Sequence, residues 1–429
     1  MAKKHIAGAM AAALLLAGCS TGGGGPDSGD PSGDITVLTN RTDLLETDFK
    51  DYKAAFEKEY PDVNVEFEAI TDYEGEVTTR LSTGSYGDVL GIPNSVSLDQ
   101  LPQFFEPLGT VDELKAKYRY VDKAAFDGTG YGMATFGGAN GLLYNKRVWE
   151  EAGVTELPTS PEQFLEDLQA IKDNTDAIPY YTNYADGWPL SQWQGNRAIT
   201  GNPETVNEMN FEDAPWSEGN EQYVIDGLLF DIVAGGLSED DPLTTAWEGS
   251  KGLIATGEAA TAALGSWSIV QFQQAAEDAG ADPADIGYMP FPYQEDGTFF
   301  SQTAGDFSNA INKNSDNKVA ARAWIDWFAE ESGFAESQGS IPPTVDSELP
   351  DTLAGFTEAG VELVELTPAP AEEATLNSDI YNEAEIDLFG QIYRQKLVDI
   401  ARGAADGDKK SYFEELNTRW AEARAEVSS

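Results

Sequence analysis

Across 429 residues the chain has one cysteine and one histidine, and only 26 lysines and arginines against 75 aspartates and glutamates. The histidine is His5 and the cysteine Cys19, both near the start. Beyond them the sequence holds no group for a Ser–His or Cys–His nucleophilic pair, a histidine-bound zinc or a thiol nucleophile. No P-loop and no G-x-S-x-G elbow is present, and the calcium-loop spacing begun by Asp406 and Asp408 is broken by Lys410. Carboxylate pairs for glycoside hydrolysis remain available, but among 75 acids they arise by chance and carry no weight. A formal net charge of −49 disfavours nucleic acid and anionic lipid as partners and reads as a solvated, salt-adapted surface. After residue 18 no segment approaches 18 uninterrupted apolar residues.

What is there begins with Lys3 and Lys4, followed by an apolar run from Ile6 to Ala17, too short to span a bilayer and built like a secretion signal. It ends in Leu16-Ala17-Gly18-Cys19, which resembles the bacterial lipoprotein signal. The resemblance implies that residues 1–18 are removed and that Cys19 is acylated, placing the protein on the extracellular face of the cell membrane. Residues 19–33, rich in Gly, Ser, Asp and Pro, cannot bury a core and read as a flexible tether.

The remaining length suggests two domains. From Asp34 short β-rich runs alternate with helical spacing: Ile35–Leu38, then Leu45, Phe49, Tyr52 and Phe56, then the alternating Val63, Val65, Phe67 and Ala69 after Pro61. A helix through Val77 and Leu81 and a strand at 88–92 complete a β-α-β-α-β opening, the signature of a mostly parallel sheet. The pattern restarts after the Gly-rich stretch 131–141. A strand at 142–144 precedes a helix at 146–152, and Ser160-Pro161-Glu162-Gln163 forms a capping box for a helix that turns Phe164, Leu168 and Ile171 inward. Further strands are predicted at 177–181, 259–264 and 286–289, and helices at 221–234, 267–279, 316–331, 383–402 and 408–426.

Tyr60-Pro61-Asp62-Val63-Asn64-Val65, Tyr131-Gly132-Met133, the run from Gly141 to Gly153 and Pro158–Phe164 resemble the extracellular solute-binding proteins of carbohydrate ABC importers. Gly257–Ala260, Leu264–Trp267, Ile286–Pro292 and Ser340–Pro343 follow in that family's order. Met133 and Trp149 stand where the family commonly has Ile-Pro and Phe, both tolerable exchanges. The resemblance implies a two-lobed α/β, periplasmic-binding-protein-like fold. Each lobe would be a mostly parallel sheet flanked by helices, with hinge strands crossing near 138–141, 305 and 339–343. Residues 34–139 with 306–342 would form one lobe, and 140–305 with 343–429 the other. It implies capture of a sugar or oligosaccharide without chemistry, delivery to membrane permease subunits, a monomer and no cofactor or metal. A non-sugar solute and a lipid-anchored glycosidase are the rival readings.

A sugar offers hydroxyls and apolar C–H faces, so its site needs planar hydrogen-bonding groups beside aromatic platforms. Such groups stand in loops that follow strands, where open α/β sheets bind ligands. They are Asn40, Arg41 and Asp43 after the first strand, Asp72 and Tyr73 after the second, and Asn94 after the third. Asp43 and Asp72 equally suit helix N-caps. Asn140 serves either to reach the ligand or to accommodate a hinge bend, and Asp306 either to accept a hydroxyl or to shape the hinge. Trp188 and Trp193, in a turn-rich segment without helical or strand period, are candidate stacking platforms, as are Trp267 after a strand and Trp247. Trp324 and Trp327 share one helical face and read as core.

Overall fold

A computed structural model of the chain describes residues 29–427. The secretion signal, Cys19 and most of the expected tether lie outside the described residues. Two principal sheets organise the fold. The first has the strand order Val63–Ala69, Gly33–Thr39, Val89–Gly91, Ser308–Ile311, Gly132–Ala134. Its first three strands are the predicted opening. Gly33–Thr39 pairs in parallel with Val63–Ala69 from Gly33↔Val63 to Thr39↔Ala69, and its Val37 pairs with Val89. Alternation explains the burial, since Ile35, Val37, Val63 and Val65 enter the core together. Ser308–Ile311 then inserts antiparallel between Val89–Gly91 and Gly132–Ala134, so a segment far along the chain completes this sheet. The following helix, Lys318–Glu330, buries Ala320, Trp324, Trp327 and Phe328 against it, as its spacing predicts.

The second sheet is built on the long strand Gly137–Asn145, with Ile286–Met289, Thr261–Gly265 and Thr298–Gly305 all antiparallel to it. Thr298–Gly305 with Glu362–Glu365 is its parallel strand pair among the described residues. The α/β class stands, but the expected mostly parallel sheet does not form in this lobe. The chain leaves Asn145, passes through several helices and re-enters the sheet at that same end, Thr261 pairing with Tyr144, so the returning strand runs backward. The predicted strand at 177–181 is reduced to isolated pairings of Ile178 with Ala259 and Tyr180 with Ser238.

Helices surround this sheet over a core that includes Trp149, Phe164, Trp193, Trp216 and Trp420. Ser160 caps Pro161–Asn174 by accepting from the Gln163 N–H, while the Gln163 amide oxygen turns to Thr159. Of the helix expected over 383–402 only Ile392–Ala401 forms; residues 384–391 are a turn that follows an unexpected helix, Leu376–Glu383. Glu385 adopts φ of 51°, and the Asp387 carboxylate accepts the N–H groups of Ile392 and Tyr393, capping the second helix.

Two segments carry the chain directly between the sheets. Gly132–Ala134 of the first sheet leads at once into Gly137–Asn145 of the second, and Thr298–Gly305 of the second leads into Ser308–Ile311 of the first. They pair at the crossing, Gly137 with Gly305 and Ala139 with Thr303, and Ile341 adds a bridge to Gly137. Gly137 is required there by close approach, because a Cβ would lie 2.2 Å from the Tyr120 ring. Residues 344–347 then run beside Tyr118 and Arg119, whose guanidinium donates to the backbone carbonyls of Pro342, Val345 and Ser347.

Candidate functional site

Strand direction decides which loops meet. Ser308–Ile311 starts at the crossing, and Val89–Gly91 runs opposite to it, with Gly33–Thr39 and Val63–Ala69 parallel to Val89–Gly91. The carboxyl ends of these three strands therefore all point toward the crossing. In the second sheet Gly137–Asn145 runs away from the crossing and Thr261–Gly265 runs back, ending with Gly265 opposite Asn140. The loops after Thr39, Ala69, Gly91 and Gly265 thus open onto one interlobe cleft, the arrangement in which α/β sheets bind ligands.

On the first lobe Thr39, Asn40, Arg41, Tyr73, Asp306 and Asn309 contribute to a recess of about 580 Å³ including its open mouth. Asn40 is exposed. Arg41 is held as a fork: Nε and Nη2 donate to the two Asp43 oxygens at 2.9 and 2.7 Å, and Nη1 donates to Gln338 Oε1 at 2.6 Å. That pairing lowers the Asp43 carboxyl below its usual range. Asp43 does not cap the next helix, which starts after Thr47; it orients Arg41. Burial raises the Asp306 carboxyl, opposed by the Lys123 ammonium, whose Nζ donates to the carbonyls of Gly305 and Asp306.

On the second lobe three indoles form one cluster. Trp188 lies 5.1 Å from Trp247 and 6.1 Å from Trp267, ring centre to ring centre, and Trp247 lies 5.7 Å from Trp267. Trp267 is 38% exposed and Trp188 half-buried, so these two offer flat apolar surface to solvent, while the half-buried Trp247 backs them by packing on the core ring of Phe272 at 5.6 Å. Its parts come from three separate elements: the 3₁₀ stretch Trp188–Gly195, the first residue of the helix Trp247–Thr256, and the turn after Thr261–Gly265. The 3₁₀ stretch reaches the crossing at its other end, where a Cβ on Gly195 would stand 2.3 Å from Asn140 Oδ1.

Several residues singled out in the sequence are occupied elsewhere. Trp193 is 1% exposed and donates from Nε1 to Tyr180 Oη at 3.0 Å, so it is a core residue and not a platform. The irregular stretch ends by packing into the lobe, and its half-buried indole, Trp188, lies five positions from its buried one. Tyr73 lines the recess, but its hydroxyl donates to the Gly91 carbonyl and accepts the Gly91 N–H, and burial raises it well above the usual phenol range. Asn94 is exposed and pinned through its N–H and Nδ2 to the Glu74 carboxylate. Asp72 precedes Tyr73–Leu81 at the N-cap position without a side-chain cap bond and is exposed. Asn140 donates from Nδ2 to the Gln302 carbonyl across the paired crossing strands. The cleft also contains residues the sequence reading passed over: Thr135, Phe136, Phe307 and Asn309. Their signal was adjacency to the glycine-marked crossings, and Gln338, which holds Arg41, likewise precedes Gly339.

Residues 42–333 match the family model of the bacterial extracellular solute-binding proteins. A solved binding protein of an ABC transporter from Bifidobacterium animalis subsp. lactis, BlMnBP1 in complex with mannobiose, is 34% identical with a TM-score of 0.75, covering 92% of this chain and 96% of that one. The diacetylchitobiose binding protein DasA of Streptomyces coelicolor is 30% identical over 200 residues, 42% of this chain, and the match spans 45% of that relative's length. The multiple sugar-binding protein of Streptococcus mutans is 21% identical over 330 residues, 73% of this chain and 75% of that protein. With a family match across most of the chain, and a two-sheet cleft of the kind such a match requires, the chain belongs to the bacterial extracellular solute-binding protein family.

Proposed function

We propose that this protein is the extracytoplasmic binding component of an ABC importer, which closes on a sugar or oligosaccharide and hands it unaltered to the membrane permease. The observations that carry the reading are the partly exposed Trp188, Trp247 and Trp267 cluster of one lobe and the polar strand-end recess with Asn40, Arg41 and Asp306 of the other. Pyranose C–H faces suit indoles, and hydroxyls suit amides and carboxylates. The mannobiose complex of the Bifidobacterium protein and the names of the two sugar-binding relatives support the same ligand class. Residues 34–139 with 306–342 form one mobile lobe and 140–305 with 343–429 the other, and ligand shifts an open–closed equilibrium about the crossings. Cys19 carries a lipid anchor on the outer face of the membrane, the protein works as a monomer, and it performs no turnover.

A thermal-shift and calorimetric series with mannobiose, mannotriose and diacetylchitobiose, set beside amino acids and polyamines, tests this. A saccharide at 100 times its Kd adds about 2.7 kcal/mol of stability. A response confined to non-sugars, or a saccharide cleaved during incubation, overturns the reading. Replacing Cys19 by alanine releases the protein from membranes if the anchor is real.

A further inference from the structure

Arg41 is fixed from three directions. The two Asp43 oxygens take one proton each from Nε and Nη2, Gln338 Oε1 takes one from Nη1 at 2.6 Å, and the Phe334 ring centre lies 6.0 Å from the guanidinium carbon. A guanidinium carries five N–H groups, so one on each terminal nitrogen has no partner among the described residues. The Arg41 side chain lines the first-lobe recess and keeps 27% of its surface exposed.

The two side chains that hold it differ in kind. Asp43 stands two residues away in the same loop, whereas Gln338 comes from a distant segment that is itself held. The Gln338 N–H donates to the Phe334 and Ala335 carbonyls, closing the short helix Phe334–Ser337. The next residue, Gly339, has φ of 59°, and a Cβ there would stand 2.8 Å from Val270 Cγ1 and 2.9 Å from Thr352 Cγ2. Its carbonyl accepts the Thr352 hydroxyl at 2.7 Å. The Gln338 amide oxygen is therefore a fixed point against which the Arg41 loop is set, and it adds no charge to a guanidinium that Asp43 already neutralises. Asp43 alone would tie the guanidinium to its own loop and leave its direction unset.

We propose that Gln338 is a positioning residue for ligand binding, which sets the direction of the Arg41 guanidinium so that its two remaining N–H groups meet neighbouring hydroxyl oxygens of the bound saccharide. This rests on the saccharide-binding reading above and deepens it.

Calorimetry on the full chain with mannobiose, mannotriose and diacetylchitobiose tests it, with melting curves of the ligand-free proteins alongside. Gln338→Asn keeps the amide but shortens its reach by a methylene, and should weaken whichever of these saccharides the unaltered protein binds by about tenfold, at an unchanged ligand-free melting temperature. Gln338→Glu keeps both the reach and an accepting oxygen, and should restore most of that affinity. In an Arg41→Lys background, where no fork remains to be aimed, adding Gln338→Asn should cost less than about twofold. Unchanged binding by the Gln338→Asn protein, equal weakening by Gln338→Asn and Gln338→Glu, or the same loss in the Arg41→Lys background overturns the positioning role and leaves the saccharide reading standing. Failure of all three saccharides to bind the unaltered protein overturns both.

Discussion

Asp186 Oδ2 accepts the backbone N–H of Trp247 at 2.5 Å, so one carboxylate two residues before Trp188 fixes the first residue of the Trp247 helix. Ala246 at the N-cap of that helix has no side chain able to do this, and the cap comes instead from 61 positions away. The two indoles are thereby locked as neighbours. Asp186→Ala removes the lock and should cost about 1 kcal/mol of stability, as cap losses do. It should also weaken saccharide binding several-fold, read by calorimetry beside a melting curve. Unchanged affinity with lowered stability would detach the indole cluster from ligand binding.

Trp267 and Trp193 make a contrasting pair. Trp267 is 38% exposed, so Trp267→Ala should weaken saccharide binding about tenfold or more, with little loss of stability. Trp193, at 1% exposure and bonded to Tyr180, should cost about 3–5 kcal/mol on truncation to alanine. Denaturant titrations and binding isotherms on both variants check the assignment, which fails if the effects are reversed.

Arg394 and Asp226 form a fully buried ion pair in the second lobe, Nε to Oδ1 at 3.0 Å, both side chains at 0% exposure. Arg394 also donates to Gln194 Oε1, and Asp226 accepts from Trp216 Nε1 and Gln222 Nε2. Removing Arg394 strands a carboxylate in the core, at about 3–5 kcal/mol. Arg394→Ala should therefore unfold at much lower denaturant, whereas Lys410→Ala, at an exposed pair, should not move the midpoint measurably.

Glu239 gives a pH signature. Burial raises its carboxyl to about 7, against the stabilising bonds it accepts from the N–H and hydroxyl of Thr182. A raised acid holds its proton longer in the folded than in the unfolded chain. Stability is therefore greatest below the unfolded pKa and is lost as pH rises through the folded value. Between about pH 4.5 and 7 the loss should be on the order of 3 kcal/mol. Glu239→Gln should flatten this part of the stability–pH curve, isolating the group from the general repulsion of an acidic chain. Parallel curves for the two proteins would refute the assignment.

Local pattern made much of the fold legible. The alternation at Val63–Ala69, the run Ile286–Met289 and the apolar face of Lys318–Glu330 appear where periodicity places them, because each element buries the side its own spacing makes apolar. Pairing direction in the second sheet was not legible, since parallel and antiparallel strands share the same residue preferences and differ only in where the chain returns. The expected helix over 383–402 failed at one side chain. Asp387 forms a cap five and six residues ahead, which outweighed a spacing that continues through it.

Composition and order alone determined that the chain beyond Cys19 lacks histidine and cysteine, that it folds as two α/β lobes, and that its candidate ligand groups follow strand ends, because these are properties of single residues and short windows. Tertiary structure decided which of those groups stay exposed and which are engaged by other side chains. Trp188 and Trp193 stand in one short stretch, yet only the packing of Tyr180 beneath it makes one a surface and the other core. Arg41 is oriented by Gln338, 297 residues away, and Asn94 is tied to Glu74. Hydrogen-bond partners so distant in sequence are chosen by the fold, and that choice separates a side chain free to meet a ligand from one already engaged.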